Sequence, residues 1–134
     1  MSRRRCILFV CLHGAAKSVL AAADCERLAA ARGLDIAADF AGIEPDADIA
    51  PAVAAALRAE GMDLGGKKPR VVRSGGVVAA DQVVTFGCDL GGATVPGARI
   101  EQWVDVPAVS DGLPAPRSAI RARLEQMIDG WAPR

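Results

Sequence analysis

An uninterrupted apolar run near the start of the chain is followed at once by a cysteine and a short loop. The run, Cys6-Ile7-Leu8-Phe9-Val10, is typical of a strand buried on both faces of a parallel sheet, so Cys6 is expected in the core. From Ser18 onward apolar residues recur at helical spacing as far as Gly33, a suitable helix stop. Residues 6–33 therefore predict a strand, a tight turn and a helix.

The turn between these two elements, from Cys11 to Ser18, is the segment that we expect to carry the function. A turn that holds Gly14 and opens a helix aims several backbone N–H groups and the positive end of a helix dipole at one small volume. Such a volume binds oxyanions. The same field favours a thiolate at Cys11, the candidate nucleophile. The predicted oxyanion contacts are Leu12, His13, Gly14, Ala15, Ala16, Lys17 and Ser18.

Composition argues against several classes of function. The 134 residues suit a single domain over 1–134, and 51% hydrophobic with 24% charged residues is a globular composition. Lys plus Arg and Asp plus Glu number 16 each, so no bulk charge favours nucleic acid or a membrane as a partner. No apolar stretch approaches the roughly 18 residues of a membrane span. We expect a cytoplasmic protein.

The four cysteines, Cys6, Cys11, Cys25 and Cys88, show no paired metal spacing and are accompanied by one histidine, His13. A structural metal site is therefore not expected. In a reducing compartment these cysteines are free thiols. Cys25 lies within the first predicted helix, where a small buried thiol is the ordinary interpretation.

The rest of the chain alternates strand and helix patterns. Strands are predicted over 34–43, 82–86 and 100–104, and helices over 51–60 and from Pro114 onward. The pattern at 77–80 is compatible with a helical turn or a strand. In the last helix one face carries Ile120, Leu124, Met127, Ile128 and Trp131, which docks it on the sheet. The alternation predicts an α/β fold, a three-layer open sheet of about four parallel strands flanked by helices.

Three residues with reactive side chains each follow a different predicted strand: Cys11, Cys88 and Asp105. Ligands bind beyond the carboxyl ends of parallel strands, so these residues are expected to face one crevice. Asp105 is either a general acid or a turn former before Pro107. Cys88 either resolves a Cys11 adduct as a disulfide or is a buried thiol.

Three side chains of the turn have two interpretations each. Lys17 supplies positive charge to an oxyanion or is simply exposed, and Ser18 donates its hydroxyl or caps the helix. His13 contacts the thiolate or the substrate, or is incidental.

Four segments carry a family pattern. Cys11 is followed by five residues and then Lys17-Ser18, and Ala41-Gly42-Ile43-Glu44-Pro45, Asp81 to Cys88 and Trp103 to Ala108 come later in the chain. In this order they resemble the low-molecular-weight protein tyrosine phosphatases and the arsenate reductases built on the same fold. Those proteins carry cysteine, five residues, arginine and serine or threonine after the first strand. The later segments are similar to Ser-Ala-Gly-x-x-Pro, Asp-x-Val-Val-Thr-x-Gly-Cys and Trp-x-x-Asp-Pro-Ala.

The resemblance implies the low-molecular-weight phosphatase fold, with Cys11 as the nucleophile, Lys17 and Ser18 in the anion loop, and Asp105 as the general acid. Cys88 stands where the reductases carry a redox cysteine. No cofactor is implied, apart from an external thiol reductant if the reaction is a reduction.

The chain also departs from the family pattern. Lys17 replaces an arginine, and a point charge cannot make the planar fork of a guanidinium. His13 and Gly14 stand where glycine and asparagine are usual, so the side-chain bonds of the asparagine are lost. Val106 separates Asp105 from Pro107, which displaces the general acid.

The substrate preference follows from missing aromatic residues. Ala108-Val109 replace the aromatic pair that flanks a phosphotyrosine ring in the phosphatases, and the chain has no tyrosine. We therefore expect an arsenate-reductase-like enzyme acting on a small oxyanion. The alternatives are a phosphatase for a phosphoester and a catalytically impaired anion-binding protein. Gly91 and Gly92 replace the further cysteine of thioredoxin-linked reductases, so a small thiol is favoured over a thioredoxin-type reductant.

Overall fold

The computed structural model describes residues 4–64 and 66–130 of the chain. Its strands are β1 Arg5–Cys11, β2 Ile36–Gly42, β3 Gln82–Thr85 and β4 Ile100–Gln102. Its helices are α1 Lys17–Ala31, α2 Pro51–Ala59, α3 Ser74–Ala79 and α4 Pro114–Asp129, with short 3-10 helices at Gly91–Ala93 and Val109–Asp111. None of the helices in these ranges has the length and apolar character needed to cross a membrane.

The strands form one parallel sheet in the order β2-β1-β3-β4. In the centre of the sheet, Val10 of β1 pairs with Ala41 on one side and with Thr85 on the other. This register brings the carboxyl ends of the strands to one edge, directly after which Cys11 leads into the predicted turn. The predicted α/β fold class, an open sheet of parallel strands flanked by helices, is confirmed.

Successive side chains of β1 enter two different cores, which explains why its apolar run is uninterrupted. Ile7 and Phe9 pack in a cluster with residues of α1, α2 and α4, whereas Leu8 and Val10 pack on the other face with Val77 of α3. Burying one such side chain fully stabilises the fold by about 1.5 to 3 kcal/mol. β1 is therefore anchored on both faces immediately before Cys11.

Several predicted details differ from the structure. Cys6 is half-buried, so the prediction that it lies in the core is wrong, because it sits near the exposed start of β1. The ambiguous residues 77–80 belong largely to α3. The strand predicted over 100–104 ends at Gln102, and Val104 beyond its end is 75% exposed.

The last helix docks on the sheet as its periodicity predicts. Its residues Ile120, Leu124 and Ile128 are fully buried and Met127 is half-buried, while the predicted contact Trp131 lies outside the described residues.

An ion cluster centred on Arg117 ties α4 to α1 and α2. Its Nη2 donates to Asp24 Oδ1 at 2.9 Å and to Glu60 Oε1 at 2.7 Å. Asp24 is only 5% exposed. Hydrogen bonds from Arg117 and then Arg27 lower the pKa of Glu60 to about 2. The position of α4 thus depends on a charge pair that is largely out of water.

Arg117→Met is expected to destabilise the fold by on the order of 3 kcal/mol, because the buried Asp24 carboxylate loses the two hydrogen bonds that the Arg117 guanidinium donates to it. The free energy of unfolding from urea denaturation at neutral pH measures the effect. Arg32→Met is the matched control, since its partner Asp129 is 66% exposed and loss of a surface pair costs about 0 to 1 kcal/mol. Equal destabilisation by both substitutions would contradict the role given to Arg117.

Candidate active site

The loop from Leu12 to Ala16, here called the anion loop, joins β1 to α1. The segment 43–50 holds carbonyls of this turn from one side: the N–H groups of Ile43, Glu44, Asp46 and Ala50 donate to Cys11, Leu12, His13 and Ala15 at 3.2, 2.7, 3.0 and 2.9 Å. The loop amides donate to no carbonyl among residues 4–64 and 66–130. Carbonyls held on one side and free amides beside a helix amino end make an anion-binding geometry.

Gly14 presses the anion loop against the end of β2. Its φ of +60° lies in the left-handed region that favours glycine, as expected for a tight turn. A Cβ at Gly14 would lie 2.7 Å from the Gly42 nitrogen, and a Cβ at Gly42 would lie 2.6 Å from the Gly14 nitrogen. Both positions require glycine because the two backbones are in direct contact.

Cys11 is the last residue of β1 and is 8% exposed. Its Sγ lies 3.0 Å from Oγ of Ser18, which is fully buried in the first turn of α1. When the sulfur is a thiolate, it accepts this hydrogen bond from the hydroxyl. Of the two interpretations of Ser18, capping of α1 does not hold: the helix begins at Lys17, Ala16 takes the cap position, and no side chain caps it. The serine hydroxyl is engaged by the sulfur instead.

Lys17 reaches from the start of α1 to a distant segment. Its Nζ donates to the Val106 carbonyl at 3.0 Å, and the side chain is half-buried. The bond ties the end of the anion loop to the residue after Asp105. An ammonium group has three donors, so two remain for a bound oxyanion.

Asp105 lies in the segment that follows β4, between the buried Trp103 and the buried Val106. Its side chain is 60% exposed, and Oδ1 accepts a hydrogen bond from Arg123 Nη2 of α4 at 2.8 Å. This hydrogen bond lowers the pKa of Asp105. Within the described ranges no hydrogen bond joins Asp105 to the anion loop. The structure brings the segment to the loop through Lys17, while the carboxylate itself is bound to α4.

Cys88 lies on the turn after β3 and is half-buried. Its Sγ donates to the carbonyl of Val10, the residue before Cys11, at 3.5 Å. Burial is the main cause that raises the pKa of Cys88, and the charge of the Cys11 thiolate raises it further. The second thiol therefore lies near enough to the first to interact with it electrostatically.

Gln102 of β4, which no sequence pattern marks, holds the turn that carries Cys88. Its Nε2 donates to the Cys88 carbonyl at 3.1 Å, and its Oε1 accepts from the Gly87 N–H at 3.2 Å. Gln102 pairs with Thr85 of the neighbouring strand, and this pairing places it beside the turn. The pairing is known only once the fold is known, so the sequence alone does not identify Gln102. Beside the turn lies an open cleft of about 510 Å³, lined by Gly87, Cys88, Asp89, Leu90, Thr94, Ile100, Gln102 and Val104.

His13 braces the outside of the anion loop. Its Nδ1 lies 3.2 Å from the Glu44 carbonyl oxygen and 3.5 Å from Asp46 Oδ1. The ring therefore contacts the same segment that holds the loop carbonyls.

Cys25 lies apart from these groups, in the middle of α1. It is fully buried, and burial raises its pKa to about 12. In the described part of the chain, no group of three or more His, Cys, Asp or Glu side chains is arranged to hold a metal ion.

A family model described as low molecular weight phosphotyrosine protein phosphatase matches residues 6–95. The chain belongs to this family. The resemblance found in the sequence is thereby confirmed, and the matched range includes both the anion loop and Cys88.

Solved structures that include both phosphatases and arsenate reductases share the fold. YfkJ from Bacillus subtilis has a TM-score of 0.81 at 23% identity, over 96% of this chain and 95% of that one. A low-molecular-weight phosphotyrosine phosphatase from Vibrio cholerae has a TM-score of 0.80 at 16% identity, over 95% and 96%. A thioredoxin-dependent arsenate reductase from Corynebacterium glutamicum has a TM-score of 0.75 at 24% identity, over 96% of this chain and 62% of that one. No curated protein matches the chain significantly.

Gly14→Ala is expected to weaken phosphate or arsenate binding at least about tenfold, which corresponds to about 1.4 kcal/mol, because the added Cβ pushes the loop off Gly42. Isothermal calorimetry measures the affinity, with circular dichroism to verify folding. Gly33→Ala is the matched control, since Gly33 has a similar φ of +69° but nothing within 4 Å of an added Cβ. Unchanged affinity in folded Gly14→Ala would show that the contact does not shape the site.

Proposed function

We propose that this family member is an arsenate-reductase-like enzyme, in which the Cys11 thiolate attacks a small oxyanion held by the anion loop. The observation that carries the proposal is the second thiol, since Cys88 Sγ lies 3.5 Å from the carbonyl of the residue before the nucleophile. Hydrolysis of a phosphoester needs one cysteine. Reduction of arsenate needs two electrons, which two neighbouring thiols supply by forming a disulfide.

The chemistry proceeds in two steps without a cofactor. Cys11 Sγ forms a bond to arsenic, and a hydroxide leaves as water after it takes the proton of Asp105. Cys88 then loses its proton to solvent and attacks Cys11 Sγ, so that the sulfur–arsenic bond breaks and its electron pair stays on arsenic. Arsenic(V) becomes arsenic(III), and the two cysteines become a disulfide.

The surroundings of Cys11 support this assignment of roles. The free amides of the anion loop and the Nζ of Lys17 hold the oxyanion, and the hydroxyl of Ser18 donates to the thiolate. Ala108-Val109 present no ring to flank an aromatic substrate. A small inorganic oxyanion needs no such wall, so arsenate fits the site better than phosphotyrosine.

An external thiol completes the cycle by reducing the disulfide. Of the other two cysteines, Cys6 lies at the opposite end of β1 from Cys11 and Cys25 is fully buried within α1, so neither is placed to take over the disulfide. The open cleft beside Cys88 gives a small thiol, or the exposed thiol of a thioredoxin-type protein, a path to the sulfur. Such reductants are maintained in the cytoplasm, where we place this protein.

Arsenate added to the reduced protein without any other thiol is expected to convert Cys11 and Cys88 into one disulfide per chain. Thiol titration and peptide mass spectrometry measure the product. Cys11→Ser abolishes the reaction, and Cys88→Ser prevents the disulfide. Cys6→Ser is the matched control, because Cys6 is half-buried like Cys88 but lies at the other end of β1. If wild type forms no arsenate-dependent disulfide, the reductase assignment fails.

Phosphoester hydrolysis is the second candidate, and the contact between Lys17 and Val106 favours it. This bond keeps the segment that carries Asp105 beside the anion loop, as protonation of an ester oxygen requires. A small or non-aromatic phosphoester is the expected substrate class.

Lys17→Arg is expected to raise turnover of a generic aryl phosphate about tenfold, because a guanidinium grips two oxyanion oxygens at once. Lys17→Met is the control: it loses the hydrogen bond to the Val106 carbonyl and carries no charge, so it is expected to lower turnover. Steady-state release of the phenol measures both. Equal turnover in wild type and Lys17→Arg argues against hydrolysis as the function. Calorimetric binding of arsenate or phosphate with neither reaction would identify a catalytically impaired anion-binding protein.

A further inference from the structure

Asp105 lies in a short segment, Trp103 to Val106, here called the arc. The first and last residues of the arc are buried, and the two between them are exposed. Trp103 is 1% exposed and Val106 is 6% exposed, whereas Val104 and Asp105 between them face solvent. The arc can therefore turn the Asp105 side chain without disturbing the core. Within residues 4–64 and 66–130, the side-chain partner of the Asp105 carboxylate is Arg123, through a bond of 2.8 Å.

Arg123 is well placed to act on Asp105 because α4 is firmly packed. The next residue, Leu124, is fully buried, and Arg117 joins the same helix to Asp24. The guanidinium of Arg123 is therefore presented to the exposed Asp105 side chain from a packed helix. In the described part of the chain, Lys17 is the other charged side chain that bonds to this segment, and it binds the Val106 carbonyl and not the carboxylate.

This contact opposes the reaction that Asp105 is proposed to perform. A general acid must carry a proton when the leaving group departs. A carboxylate bound to a guanidinium is held in its ionised form, and the pKa of Asp105 is lowered, chiefly by the hydrogen bond from Arg123.

We propose that Arg123 is a positioning residue that restrains Asp105 against α4 and thereby limits the pH range in which Asp105 donates a proton. The inference rests on the proposed function, since it takes Asp105 as the general acid. Release of the carboxylate from Arg123 is then part of each catalytic cycle.

The sign of the effect follows from the contact. Without Arg123 the pKa of Asp105 returns toward its ordinary value, so the carboxyl stays protonated to higher pH. In a plot of the single-turnover rate against pH, the rate falls as Asp105 loses its proton, and without Arg123 this fall occurs at higher pH. In that pH range the single-turnover rate with arsenate is expected to rise about threefold or more in Arg123→Gln.

The experiment compares Arg123→Gln and Arg123→Lys with wild type across acid and neutral pH, using arsenate-dependent disulfide formation. Arg123→Lys keeps a cation and is expected to lie between the other two. Arg121→Gln is the matched control, because Arg121 is an exposed arginine on the same helix and faces Asp24. In an Asp105→Asn background, Arg123→Gln is expected to leave the profile unchanged.

A second readout needs no turnover. NMR titration of the Asp105 side-chain carboxyl carbon is expected to give a higher pKa in Arg123→Gln than in wild type or Arg121→Gln. An unchanged Asp105 titration, or an unmoved rate profile in an active enzyme, overturns the role of Arg123. If the titration moves but wild type reduces no arsenate, the restraint stands and the proposed function fails.

Discussion

The backbone contact between Gly14 and Gly42 is the constraint on which the candidate site depends. It lets the anion loop close against the end of β2, where the segment 43–50 takes up carbonyls of the turn. All these partners are backbone groups, so they shape the loop before a ligand arrives. An oxyanion then meets amides that need little reordering, which keeps more of the interaction energy for binding.

The sheet and the place of the candidate nucleophile Cys11 were predictable because both depend on local patterns. The apolar run of β1 identifies a strand buried on both faces, and Gly14 identifies the turn behind it. Cys11, Cys88 and Asp105 each follow a predicted strand, and parallel strands direct their carboxyl ends to one edge. The proximity of the two thiols therefore follows from the order of elements.

The partners of individual side chains were not predictable, because each is selected from groups that only the packed fold brings together. Lys17 binds a carbonyl 89 residues away, and Ser18 turns to the Cys11 sulfur and not to a backbone amide. The residues 77–80 were ambiguous for a related reason. Gly75 and Gly76 weaken the helix, and burial of Val77 decides in its favour.

In the proposed oxyanion site, lysine at position 17 is expected to affect the rate and the affinity differently. A loop arginine would meet the oxyanion with two parallel bonds, whereas Lys17 is a point charge that already donates to Val106. In the proposed site, ground-state binding is expected to depend mainly on the loop amides, which the lysine leaves in place. The transition state carries more charge on its oxygens and depends more on the cation. Under the proposed function, lysine in place of arginine is therefore expected to lower the rate more than the affinity.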